Sequence, residues 1–184
     1  MSKDDRWSRI RGFVRKWYRA PLGPKDGLSA AELKRAKVAM PAALREFHAL
    51  LGARLKSFQD CPVPPKSLRL EDGMLAVYYE NQSTVTWAIR EDALDQADPP
   101  VFVEDHWGEH DDPWLPQHDT LSEFLTAIVL SEALIGAWSG KGRGSLGPLA
   151  EDVRGGTLWG AESALAKAYH PLPLQAWRWP VYPT

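Results

Sequence analysis

Short runs in which polar and apolar residues alternate, as at 67–71, or in which apolar residues predominate, as at 74–79, occupy the middle of the chain and are separated by turn residues. The Asp72-Gly73 pair between the first two runs is typical of a two-residue hairpin turn, because both residues tolerate positive φ. Polar residues and then an acidic loop separate the later runs. We therefore predict an antiparallel β-meander of about four strands. The predicted strands are residues 67–71, 74–79, 84–89 and 101–103.

Apolar residues at intervals of three and four flank this region and predict helices. Near the N-terminus they predict an amphipathic helix over 4–19, whose opposite face carries six Lys or Arg. A basic amphipathic helix can bind nucleic acid or an anionic surface, although a solvated face is the simpler interpretation. After the meander, Thr120 as an N-cap predicts a helix from Leu121 that is apolar on a wide face. We expect this second helix to be the main core helix under the sheet.

Capping signals predict two more helices before the meander. Ser29 followed by Glu32 forms a capping box, which predicts a helix over 30–38. Pro41 disfavours helix at the residue before it and suits the first turn after it, so a further helix is predicted over 41–51. Residues 61–65 are rich in proline and predict a stiff connector into the meander.

Together these elements predict an α+β fold, with the antiparallel meander packed by helices. The C-terminal tail could add further strands, because its proline-rich end at 171–180 is compatible with an edge strand. We predict three parts: a basic helical arm at 1–28, an α+β module at 29–140 and a tail at 141–184 that packs on the module.

Composition narrows the class of protein. The chain has 184 residues and a single cysteine, Cys61, so an internal disulfide is excluded and nothing indicates an oxidising compartment. No apolar run approaches the roughly 20 residues that a membrane helix needs, and no apolar signal core follows the first residues. We therefore expect a cytoplasmic protein that does not contact a membrane.

Charge is divided unevenly along the chain. Residues 1–57 hold 14 Lys or Arg against 5 Asp or Glu, whereas residues 58–140 hold 3 against 16. The two stretches therefore carry net charges of +9 and −13. This uneven distribution of charge gives the two stretches opposite electrostatic potentials, which influence the partners that a protein binds and not its fold.

The sequence His106-Trp107-Gly108-Glu109-His110 matches the H-x-x-E-H pattern of inverted zinc proteases. That chemistry needs both histidines one helical turn apart, whereas Gly108 and the Asp111-Asp112-Pro113 that follows indicate a loop. A metal bound by His106, His110, Asp111 and Asp112 remains an alternative, and solvated loop histidines are the simpler interpretation.

Other catalytic signals are weaker. The G-x-G-x-x-G pattern at 142–147 follows a predicted helix, whereas a dinucleotide site needs it between a strand and a helix. Cys61 has no cation cluster or helix N-terminus that would activate its thiol. Glu80 stands without a second carboxylate as catalytic partner. We therefore predict no catalytic residues, no metal, no cofactor and no enzymatic activity.

The strongest functional signal is the acidic segment, defined as residues 91–119, which holds ten Asp or Glu and no Lys or Arg. Its carboxylates could steer and pair with a basic protein, and its tryptophans could supply the buried anchors that dominate interface energy. Such a surface would repel nucleic acid, so no direct nucleic-acid binding is expected. Solubility alone is the open alternative. The candidate partner-binding residues are Glu104, Asp105, Trp107, Glu109, Asp111, Asp112 and Trp114.

Several stretches resemble the SUKH superfamily of Smi/Knr-like proteins. Residues 40–48 look like the first helix of that module, 17–27 resemble the arm that often precedes it, and the helix from Leu121 also fits. The resemblance covers roughly 10–138. The Asn-Gly that usually follows the first helix is replaced by Leu51-Gly52-Ala53. Within 75–101 the similarity to bacterial members lies in Glu80-Asn81-Gln82, Trp87 and Asp98-Pro99-Pro100-Val101.

This resemblance implies a non-catalytic α+β module. Many bacterial members are immunity proteins that bind and neutralise a cognate toxin, often a nuclease, and others are regulatory or scaffolding proteins. Our first hypothesis is therefore an immunity-type protein whose toxin presents a basic surface to the acidic segment. The second is an intracellular regulatory or scaffold module without a toxin partner. A metal-dependent hydrolase at His106 and His110 is the third.

Overall fold

A computed structural model of the chain describes residues 6–55, 60–82, 85–104 and 112–138. The chain divides into two compact units. One is Gly23–Phe124, and the other combines Met1–Leu22 with Leu125–Thr184. The predicted boundaries at residues 28 and 140 remain predictions, and the tail at 141–184 lies outside the described residues, as does the edge strand predicted at 171–180.

The unit Gly23–Phe124 contains an antiparallel sheet that has six strands in the described part of the chain. The order is β1-β3-β4-β5-β6, and β2 pairs with β3 beside this path. The α+β class and the antiparallel meander are thus confirmed, with more strands than predicted. The strands are β1 Asp60–Pro62, β2 Leu70–Glu71, β3 Met74–Glu80, β4 Thr86–Arg90, β5 Val101–Glu104 and β6 Trp114–His118.

The hairpin between β2 and β3 forms at the predicted turn. Asp72 has φ 49° and Gly73 has φ 75°, which are the positive values that a tight turn between twisted antiparallel strands requires. Leu70 pairs with Leu75 across this hairpin. The strand before the turn is shorter than predicted, because residues 65–67 form a 3₁₀ helix instead.

The connector predicted at 61–65 contributes a strand that was missed. In β1, Asp60 pairs with Glu80, and Pro62 pairs with Tyr78. The backbone N–H of Val63 extends the pairing by donating to the carbonyl of Val77 at 2.9 Å. β1 and β2 therefore lie along the same side of β3, where proline is tolerated because an edge strand needs fewer ladder donors.

After the last predicted strand at 101–103, the sheet gains a strand that the sequence analysis did not predict. Residues 114–118 form β6, which pairs antiparallel with β5, and Phe102 lies opposite Pro116. The register shifts between Val101 and Phe102. β6 was not predicted because its sequence has no β-branched residue, does not alternate between polar and apolar residues and contains a proline.

Two helices precede the sheet within this unit. The capping box at Ser29 and Glu32 is present, but α2 spans only Ala30–Leu33 rather than the predicted 30–38. No residue of α2 is buried, so tertiary packing adds little to its weak intrinsic stability. The next helix, α3 at Ala42–Leu51, agrees with the predicted 41–51 and buries one face.

Three aromatic side chains form the centre of this unit's core. Tyr78 from β3, Trp87 from β4 and Phe124 from the first turn of α4 are all buried. The ring centroids of Phe124 lie 6.1 Å from Tyr78 and 5.7 Å from Trp87. Such inclined contacts stabilise aromatic pairs beyond the burial of their area. The start of α4, which spans Leu121–Trp138, thus closes over the sheet.

The first turn of α4 is tied to the loop before β5. Asp98 accepts hydrogen bonds from the backbone N–H of Ser122 at 2.8 Å and from its hydroxyl at 2.6 Å. Thr120 accepts from the backbone N–H of Glu123 at 3.3 Å, as its predicted role as N-cap requires. These bonds satisfy donors that a helix N-terminus leaves open.

The other unit is described at 6–22 and 125–138. The predicted N-terminal helix is present as α1, Ser8–Trp17, and it buries Ile10, Phe13 and Val14. Most residues of α4 between 125 and 137 are buried, in agreement with its wide apolar face. Among the described residues, no helix is long and apolar enough to cross a membrane.

Candidate protein-binding surface

The structure describes three of the seven candidate partner-binding residues, namely Glu104, Asp112 and Trp114. Glu104 ends β5 and Trp114 begins β6, where the two residues lie opposite each other in the register. Both are half-buried. The other four candidates, Asp105, Trp107, Glu109 and Asp111, lie outside the described residues, as do His106 and His110.

Asp112 has partners within its own chain. Its Oδ2 lies 2.8 Å from a guanidinium nitrogen of Arg90, and its Oδ1 accepts a 2.9 Å hydrogen bond from the backbone N–H of Trp114. The Trp114 N–H, and next the Arg90 guanidinium, hold the pKa of the Asp112 carboxyl below its usual value. Asp112 therefore stabilises the chain before β6, a role that sequence reasoning did not assign to it.

Arg90 connects the strands on either side of β5. Its guanidinium carbon lies 4.6 Å from the ring centroid of Phe102 on β5, while its nitrogen reaches Asp112. A guanidinium over an aromatic face is an attractive contact. Because Arg90 directly precedes the acidic segment and Asp112 lies near its end, this contact brings the two ends of the segment together. The sequence offers one hint, since no Lys or Arg occurs from 91 to 140.

Several carboxylates of the acidic segment lie exposed beside Arg90. Glu91 and Asp92 begin a 3₁₀ turn after β4, and Asp95 follows it. The backbone N–H of Glu91 donates to the carbonyl of Gly73 at 2.8 Å, which fixes the turn to the β2–β3 hairpin. None of these three carboxylates makes an ion pair with a described residue. They therefore present negative charge on a defined support.

The remaining acids of the segment differ in role. Asp98 is engaged by Ser122 and acts as a helix cap. Asp119 is exposed just after β6. The acidic surface in the described chain is thus made mainly by residues that the sequence analysis did not single out, Glu91, Asp92 and Asp95. Their exposure could have been anticipated from their position between two strands and from the absence of Lys and Arg after Arg90.

One buried histidine lies on α3, away from the acidic segment in sequence. Burial lowers the pKa of His48 to about 4, although a hydrogen bond with the backbone of Val63 favours the charged form. The side chain is 2% exposed. His48 is therefore neutral near neutral pH and links α3 to the chain after β1.

Metal binding was weighed at one site in the sequence, around His106 and His110. Within the described ranges, no group of three or more His, Cys, Asp or Glu could hold a metal ion. The alternative site at His106 and His110 lies outside those ranges, so it remains a hypothesis.

Comparisons with protein-family models, with curated proteins and with solved structures find no match to this chain. Membership of the SUKH superfamily therefore stays a prediction from the sequence. The antiparallel meander is compatible with that prediction without being specific to it.

Proposed function

We propose that this protein is a non-catalytic immunity protein that binds a cognate bacterial toxin through the acidic segment and neutralises it. Two independent lines support the proposal. The resemblance of residues 10–138 to bacterial SUKH proteins implies this class, and the charge of the acidic segment favours a basic partner. Such a protein would act in the cytoplasm.

The observation that supports the proposal best is the contact of Arg90 with Asp112 and Phe102. It holds Arg90, the residue before Glu91, against Asp112, which lies two residues before Trp114. A support that is ordered before binding lowers the entropy lost on association. Arg90 is the last Lys or Arg before residues 91–140, which contain neither, so the net charge of that stretch is negative.

The described residues would contribute to binding in two ways. Glu91, Asp92 and Asp95 would steer the toxin and pair with its Arg or Lys side chains, which raises the association rate at low salt. Trp114 would provide an aromatic anchor, since its half-buried ring leaves part of its surface accessible. Glu104, Asp105, Trp107, Glu109 and Asp111 would extend the same surface, on the sequence argument alone.

A basic surface is what a nuclease toxin uses to hold its substrate, because phosphate binding requires Lys and Arg. An acidic protein that covers this surface would block the substrate by competing for the same cations. A nuclease is therefore the class of toxin that this surface suits best.

The test is co-expression with the candidate toxin encoded beside this protein's own gene. Replacing Asp92 and Asp95 by Lys should weaken protection, because both carboxylates are exposed and make no ion pair with a described residue. Glu71→Lys is the control, since Glu71 is an exposed acid on β2, and its contact with Arg69 is exposed too and contributes little. Protection should persist in the control, and binding of the purified pair should weaken as salt rises.

Equal protection by the Asp92→Lys, Asp95→Lys protein and by the control would remove this surface from the proposal. A neighbouring protein that is not toxic and does not bind would contradict the immunity function. That result would favour the alternative of a regulatory or scaffold module without a toxin partner.

A further inference from the structure

The exposed face of α1 concentrates positive charge. Residues 6–22 contain six Lys or Arg and no Asp or Glu. We define the basic face as Arg9, Arg11, Arg15, Lys16 and Arg19, all of which are exposed except Arg9, which is half-buried. In the part of the chain that the structure describes, Arg9, Arg15, Lys16 and Arg19 make no ion pair. Most of this charge is therefore not neutralised by the described residues.

Two of these charges, Arg9 and Arg11, are placed where they oppose helix formation, whereas Arg15 and Lys16 lie in the last turn, where the helix dipole favours cations. Arg9 and Arg11 lie in the first turn of α1, where the helix dipole disfavours cations, and no acidic side chain or cap is present there. Arg11 and Arg15 are four residues apart, so they repel each other. Burial of the apolar face offsets these costs. Cations in the first turn break a local rule of helix stability, and such exceptions are typical of functional sites.

A glycine in the middle of the basic face follows the same pattern. Gly12 is less favourable in a helix than alanine, yet a Cβ built there would meet no atom within 4 Å, so packing does not require a glycine. At about 100° per residue, Ser8 and Gly12 lie between two rows of cations. Arg11 and Arg15 form one row, and Arg9 and Lys16 form the other. The face is therefore a narrow strip that has only small residues, Ser8 and Gly12, along its middle and positive charge along both sides.

The type of partner follows from these features. The apolar face of α1 is buried at Ile10, Phe13 and Val14, so the helix cannot insert that face into a membrane interface. Four of the five cations are arginine, whose planar guanidinium pairs with phosphate in a bidentate way. A strip of this shape suits a thin chain of phosphates better than a broad acidic protein surface.

We propose that the basic face of α1 binds the phosphodiester backbone of a nucleic acid, without reading its sequence. Backbone contacts of this kind give affinity but carry no sequence information. The acidic segment would repel nucleic acid, so the contacts are assigned to α1 alone. This inference departs from the expectation, drawn from the acidic segment, that the protein does not bind nucleic acid directly. It is independent of the proposed immunity function.

The test measures fluorescence anisotropy of labelled DNA duplex, single-stranded DNA and RNA with the purified full chain across a salt series. Three or four phosphate contacts give a slope of about −3 to −4 for log affinity against log salt concentration. Replacing Arg15 and Lys16 by Gln should make that slope shallower by about 2. The matched control replaces Lys34 and Lys37 by Gln, since both are exposed and the change in net charge is the same. The control should keep the original slope.

A variant without any change in charge tests the shape of the strip. A Cβ at Gly12 meets no atom within 4 Å, and Gly12→Leu should weaken binding severalfold, because its side chain would occupy the space between the two rows. Urea unfolding of each variant verifies that the fold is retained.

Three results would overturn the proposal. The first is no binding of any of the three nucleic acids at low salt. The second is an equal loss of affinity in the Arg15, Lys16 variant and in the Lys34, Lys37 control, which would show that binding depends only on the net charge of the protein. The third is equally tight binding of polyglutamate or of anionic lipid vesicles at the same salt concentration, which would make the face a general anion-binding surface.

Discussion

Protonation of the buried His48 should make the stability of this protein depend on pH in a defined window. The native side chain has a pKa lowered to about 4 by burial, whereas a histidine in the unfolded chain titrates near its usual value of 6.5. Between these values the unfolded state binds a proton that the native state excludes. Stability is therefore complete above the unfolded pKa, falls as pH decreases from about 6.5 to about 4, and falls no further from this cause below that.

The magnitude follows from the size of the shift. A difference of about 2.5 pKa units corresponds to about 3 kcal/mol of unfolding free energy at 1.36 kcal/mol per unit. Because the side chain is 2% exposed, solvent screening does not reduce this figure substantially. A small domain is stable by only about 5–15 kcal/mol, so the loss is easily measured.

The assay is urea unfolding at several pH values, followed by the fluorescence of the nine tryptophans. His48→Gln is the comparison protein, because glutamine does not titrate and can still donate a hydrogen bond toward Val63. The other histidines and the carboxylates titrate in both proteins, so the difference between the two curves isolates His48. The wild-type free energy should drop by about 3 kcal/mol more than that of the variant between about pH 7 and about pH 4. Parallel curves would refute the assignment of a buried, neutral histidine.

Three further predictions concern the supports of the sheet and of α4. Gly27→Ala should lower the free energy of unfolding by about 2–3 kcal/mol, because a Cβ there would lie 1.6 Å from the carbonyl oxygen of Ala49, whereas Gly23→Ala, with its nearest atom at 3.9 Å, should change it little. Asp98→Ala should cost about 1–2 kcal/mol, since it removes the cap on Ser122, and the exposed Asp95→Ala should be nearly neutral in the same urea unfolding. In Arg90→Gln, the pKa of the Asp112 carboxyl should rise toward its usual value in an NMR titration, and an unchanged pKa would exclude the ion pair in solution.

Elements with local signals were predictable from the sequence. The Asp72-Gly73 turn, the capping box at Ser29 and the N-cap at Thr120 depend on residues at most three positions apart, and each is present. α1 followed from apolar periodicity and α3 from the position of Pro41, and each buries one face, because burial of one face decides where a helix forms. α2 was predicted too long for the same reason, since it has no buried face.

Elements whose stability comes from distant partners were missed. β1 and β6 contain proline and lack alternation, and they become strands because β3 and β5 offer them unpaired backbone groups. The bonds from Ser122 to Asp98 span 24 residues, and the contact of Arg90 with Asp112 spans 22. Charge and hydropathy along a single chain do not encode such pairs, so the internal role of Asp112 could not be predicted.

The candidate surface was predicted in outline rather than in detail. Its location in the acidic segment followed from charge, because ten acids without a cation are visible in the sequence. Which acids are exposed and which are used internally depends on the path of the backbone. Asp98 and Asp112 are engaged within the chain, whereas Glu91, Asp92 and Asp95 are left exposed.

Titration calorimetry at several salt concentrations measures the affinity of the purified protein for the candidate toxin encoded beside its gene, which is the binding that the proposed immunity function requires. The acidic segment predicts a complex that weakens as salt rises, that loses affinity when Asp92 and Asp95 become Lys, and that keeps its affinity in Glu71→Lys. An affinity that changes neither with salt nor with these charge reversals would contradict binding through the acidic segment. The absence of any complex would contradict the immunity function.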